Sequence, residues 1–121
     1  MRILLACMML LGAASAEAKT LTVAEALAIE TRVKTGHFGA QAEMLALGHY
    51  VQGMIEGNMS YYHRLRQDNT PTRFCLPTDP GFSFSMQAFF KIMHERKETE
   101  RDTSAAEAVL QSFETHYPCQ N

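Results

Sequence analysis

The chain has 121 residues, 46% of them hydrophobic and 20% charged, which sets the scale of one domain with a buried core. Its formal net charge is -2, from 11 Lys and Arg against 13 Asp and Glu. No basic excess is available to neutralise phosphates, so nucleic acid is excluded as an expected partner, and a charge this close to zero points to no other partner class.

Chain order begins with an export signal. Arg2 supplies the positive start, and Ile3 to Ala13 is an almost unbroken apolar run. Ala14-Ser15-Ala16 and Ala16-Glu17-Ala18 are both small-x-small cleavage sites, so cleavage is expected after Ala16 or Ala18. The apolar run is about half of the roughly 20 residues that span a bilayer, and no membrane insertion is expected once the signal is gone. The box "LLAC" at Leu4 to Cys7 comes too early for lipoprotein processing, because no apolar stretch precedes it. The expected organisation is a signal peptide over 1–18 and a single helical domain over 19–121, located in the periplasm.

Cleavage removes Cys7 and leaves Cys75 and Cys119. Two cysteines in an oxidising compartment allow one connectivity. The closed loop holds about 44 residues, for which chain-entropy bookkeeping gives about 4 kcal/mol. A domain of this size has about 5–15 kcal/mol in total, so this one crosslink is a large share of it.

The first helix is predicted from Thr22, with Glu25 completing a capping box, through "VAEALAIETRVKT" to a stop at Gly36. The second runs from about Ala40 to Arg66. Met44, Leu47, Val51, Met54, Ile55, Tyr62 and Leu65 form its apolar stripe. Gly53 and Gly57 lie on the other side of that helix, where each costs about 1 kcal/mol relative to alanine. A kink is one account of them. Close approach of another backbone is the sharper one, preferably a helix of the same fold and otherwise a second copy in a homodimer.

The stretch "QDNTPTRFCLPTDPGF" carries three prolines and forbids regular structure. A loop of this length is often functional, and the disulfide anchors it. A third helix is predicted from Phe84 to Lys97 on the face Met86, Phe89, Phe90 and Met93. The run "HERKETERD" reads as a solvated helix end and turn. The fourth helix starts at Ser104 with Glu107 as a second capping box and places Ala106, Val109, Leu110, Phe113 and Tyr117 on one face. Pro118 ends it. No segment alternates long enough for a strand, so the fold class is all-α: a small bundle of about four helices with one disulfide.

Catalytic and metal constellations are absent from the pattern. His49, Glu56 and His63 share a helix face, but each step of seven residues is roughly 10 Å along the axis. One ion with ligands at about 2 Å cannot bridge it. No serine stands in a G-x-S-x-G elbow, and a bridged cysteine is no nucleophile. Glu30, Glu43 and Glu56 read as helix-surface carboxylates. No enzyme activity, metal or cofactor is expected.

The order of motifs is nevertheless specific. Tyr50-x-x-Gly53 leads to Phe74-Cys75-x-Pro77, then Gln87 near the start of a helix, then an Ala-rich helix ending in Tyr117-Pro118-Cys119. This resembles the Rap/Tai family of immunity proteins from type VI secretion systems, over about Leu47 to Cys119. Two features depart from the family pattern. A cysteine often precedes its Tyr-x-x-Gly, where this chain has Ala46-Leu47-Gly48-His49, and a proline often separates its last two helices, where "KETERDTSA" stands here. A second disulfide is therefore not expected.

The resemblance implies a periplasmic protein that binds and occludes a secreted antibacterial effector, often a peptidoglycan amidase. Contacts are then expected on the 67–84 loop and nearby helix ends. Arg73, Asp79, Phe82 and Phe84 are the candidates, since aromatics and arginine commonly dominate interfaces. The plainer account makes the phenylalanines core and Arg73 solvated. A competing function is a periplasmic acid-stress chaperone of the HdeA-like type, also small, helical and crosslinked once.

Overall fold

Thr22 opens the first helix as the capping box predicts. Its side-chain oxygen accepts the Glu25 N–H at 3.2 Å, and the Glu25 carboxylate accepts the Thr22 N–H at 3.0 Å. The computed structural model describes residues 19–77 and 82–120. The expected export signal with its cleavage sites, Cys7 and Asp79 lie outside the described residues.

Four α-helices follow: α1 Val23–Lys34, α2 Ala40–Gln67, α3 Met86–Glu95 and α4 Ala105–His116, with one 3-10 turn at Glu98–Glu100. No strand occurs among the described residues, and the fold is all-α with one disulfide. Gly36 stops α1 at φ 71°. The Gly36 N–H reaches Val33 and the His37 N–H reaches Arg32, the double closure of a Schellman end. α2 has 28 residues and is about 42 Å long.

The starts of α1 and α4 are joined through their backbones. Ala105 N–H donates to the Leu21 carbonyl at 2.9 Å, and Val23 N–H donates to Thr103 at 3.0 Å. Small side chains permit this closeness, since Ala26, Ala105 and Ala108 are all buried. Around them Val23, Phe89, Met93 and Val109 are fully buried. α1 packs against all three other helices, α3 packs against α2 and α4, and Leu47, Val51 and Tyr62 bring α2 into the same core.

Several expectations shift. α3 begins at Met86, two residues after Phe84, because the Ser85 side chain caps the Ala88 N–H at 3.1 Å. It ends at Glu95, because Arg96 turns extended and sends its guanidinium to the Ala108 carbonyl and Gln111. The charge run is thus partly a tie to α4. The buried face of α4 is Ala105, Ala108, Val109 and Phe113, with Ala106 and Leu110 half-buried. Ser104 caps α4, but the Glu107 carboxylate accepts from Gln111, so only one arm of that capping box forms.

The glycine expectation is corrected as well. α2 runs unbroken through Gly53 and Gly57, and nothing among the described residues lies within 4 Å of a Cβ built at either. Neither glycine serves packing among the described residues. Their face of α2 is open to solvent, roughly opposite the buried stripe.

Candidate functional site

The loop after α2 is fastened at its start and at its middle before it offers any surface. Asn69 takes a left-handed φ of 53°, which asparagine tolerates better than most residues. With Asn69 N–H on Arg66 and Thr70 N–H on Leu65, α2 ends in a second Schellman closure. The chain then returns along α4. Cys75 is bonded to Cys119, with Cα atoms 4.9 Å apart. Cys75 N–H donates to the Tyr117 carbonyl at 2.8 Å, and Leu76 N–H donates to the Tyr62 hydroxyl at 3.1 Å.

Phe74 lies between these ties. Its ring stacks on Tyr62 of α2 at 5.5 Å and meets Phe113 of α4 edge-on at 5.5 Å. The phenylalanine is a wedge, and a cleft of about 350 Å³ opens above it between α2 and α4. Leu65, Phe74 and Leu110 are the half-buried apolar lining of this cleft. Tyr61 and Arg73 stand at its rim with 65% of Tyr61 and 77% of the Arg73 side chain exposed. Arg73 Nε reaches the Glu114 carboxylate at 2.9 Å and Nη2 reaches its other oxygen at 3.2 Å.

The other candidate residues are placed differently. Phe82 meets Phe113 and Tyr117 edge-on, and Phe84 meets Phe113, with ring centroids 5.6–6.0 Å apart. Both are half-buried and line a separate depression beside Lys91, Glu95 and His116. The structure therefore does not bring Arg73, Phe82 and Phe84 into one patch. They share α4 as a support, Phe82 and Phe84 resting on Phe113 and Arg73 pairing with Glu114. Gly53 and Gly57 face solvent on α2, with the partly exposed Tyr50 and Tyr61 before and after them.

Residues that sequence reasoning missed include Tyr61 and Glu114 at the cleft. The signal for Tyr61 was available, because adjacent tyrosines on a helix cannot both face the core. Phe38 in the turn before α2 and Leu45 in its second turn are exposed apolar side chains. Phe38 sits between two glycines of positive φ, Gly36 and Gly39, in a turn whose shape keeps it away from the core.

Electrostatic structure is concentrated elsewhere. Glu30 of α1, with only 14% of its side chain exposed, accepts from Lys34 and contacts His94 of α3, each at 2.8 Å. Burial pushes this carboxyl up, but the hydrogen bonds from Lys34 and His94 outweigh it and hold it below the ordinary carboxylate range. Arg32 and Glu43 form an ion pair that joins α1 to α2. His49, Glu56 and His63 are all exposed. No three His, Cys, Asp or Glu side chains converge among the described residues.

A family model described as Rap1a immunity proteins matches residues 12–119 of the chain. Neither the curated proteins nor the solved structures give a match.

Proposed function

The chain belongs to the Rap1a immunity protein family, and from that premise we propose that it works in the periplasm as an inhibitor that binds a toxin delivered by type VI secretion and covers its catalytic cleft. Membership makes it an immunity protein against a secreted effector. A peptidoglycan amidase is the effector class we favour. The role is stoichiometric occlusion by a binding surface and involves no chemistry on the part of this chain.

The observation that carries the reading is the fastened loop. A disulfide, a buried hydroxyl bond and a backbone bond hold residues 72–76 against α2 and α4. A surface already held in shape loses less entropy on association and keeps more of its contact energy. The disulfide also supports a location outside the reducing cytoplasm, where such bonds persist, and the expected signal peptide over 1–18 supports export. The family match favours this reading over the acid-stress chaperone.

Secreted proteins encoded beside this gene are the test set. Each is expressed in the periplasm of a susceptible host, with and without this chain, and purified for pull-down and peptidoglycan hydrolysis. The expected result is one neighbour that lyses cells alone, is neutralised by this chain, and loses hydrolase activity at a one-to-one ratio. If no neighbour is toxic, or none is neutralised, the proposal is wrong.

A further inference from the structure

We propose, resting on the immunity reading, that the cleft between α2 and α4 receives an apolar side chain of the secreted effector while Arg73 holds a carboxylate beside it. The floor supplies the first half. Phe74 keeps α2 and α4 apart, so Leu65 and Leu110 stay half-buried where two helices in direct contact would have covered them. An inserted side chain removes that apolar surface from water.

Arg73 supplies the second half. Glu114 engages its Nε and Nη2, which fixes the plane of the guanidinium. Nη1 makes no hydrogen bond among the described residues, and the side chain stands mostly in solvent. A guanidinium held in plane by one carboxylate still has donors for a second acceptor, and a carboxylate matches them in charge and geometry. Tyr61, exposed at the same rim, adds a rigid aromatic wall. Tyrosine and arginine are among the residues enriched in interface hot spots, which cluster at desolvated pockets.

The occupant is a protein side chain because the proposed partner is a protein, and a cleft of about 350 Å³ has room for one. Its walls are already held by the disulfide and the Tyr62–Leu76 bond.

Calorimetric titration tests the assignment with the purified effector encoded beside this gene. Oxidised wild type is compared with Arg73→Ala, Tyr61→Ala and Asn58→Trp, the last filling the cleft from its edge. Leu45→Ala, sixteen residues earlier on α2 and so about 24 Å away, is the control. Each rim variant is expected to weaken binding at least about tenfold, and Asn58→Trp to weaken it further, with Leu45→Ala unchanged. Should Asn58→Trp lower the melting temperature, Tyr61→Ala and Arg73→Ala, both at exposed positions, carry the decision. If wild type binds and the cleft variants bind within twofold of it, the cleft assignment is overturned and the immunity reading stands. If wild type itself does not bind the effector, the immunity reading fails and the assignment falls with it.

Discussion

The Tyr62 hydroxyl accepts the backbone N–H of Leu76 at 3.1 Å, fourteen residues away across the end of α2. Both residues are buried, Tyr62 at 7% and Leu76 at 5% exposure, so water cannot substitute for either partner. The same ring stacks on Phe74. One tyrosine therefore sets both the height of the loop and the position of the wedge beneath the cleft.

Tyr62→Phe removes the hydroxyl and keeps the stacking. The Leu76 N–H is left buried without a partner, which costs about 1–3 kcal/mol. Urea denaturation is expected to show a lower midpoint with an unchanged slope. A midpoint equal to wild type would mean that the bond does not form.

Cys75→Ser and Cys119→Ser are each expected to destabilise by about 4 kcal/mol, the loop-closure value for this separation. The double variant is expected to lose the same amount as either single, because one bond is removed in all three. Alkylation without reductant, on protein produced in an oxidising compartment, is expected to label neither cysteine. Labelling of both would remove the anchor on which the loop argument stands.

Glu30 gives the acid limb of the stability profile a specific origin. Its folded-state pKa lies below the ordinary value of 4.5, so the unfolded chain takes up the proton first as pH falls. The stabilisation is complete above the unfolded value and is lost as pH drops through the folded one. Glu30→Gln is therefore expected to cost about 1 kcal/mol at neutral pH. It is also expected to flatten the fall in stability below about pH 4.5, measured as urea midpoints at stepped pH. Parallel wild-type and variant curves through that window would overturn it.

Gly53→Ala and Gly57→Ala each place a methyl group in open space on a helix. Each is expected to stabilise the monomer by about 0.5–1 kcal/mol, from the helix propensity of alanine alone. Sedimentation of wild type and Gly53→Leu decides the homodimer. A dimer that the leucine disrupts would assign this face to a second copy. Equal sedimentation would leave the two glycines with no packing role.

The sequence by itself determined the local and the combinatorial features. Hydrophobic period and caps placed four helices within two residues of their observed ends, because Thr22, Gly36, Ser104 and Pro118 act on backbone groups a few positions away. The disulfide followed from arithmetic, since the two cysteines left by the expected signal cleavage have one way to pair. Only the tertiary structure decided that Phe82 and Phe84 rest on Phe113, that Arg73 meets Glu114 across 41 residues, and that Glu30 meets His94 across 64. It alone showed that Gly53 and Gly57 face nothing among the described residues. Periodicity tells which side of a helix is buried, and it carries no information about which distant side chain will lie against it. The cleft exists because one phenylalanine reaches both α2 and α4, and that meeting is a property of the packed chain.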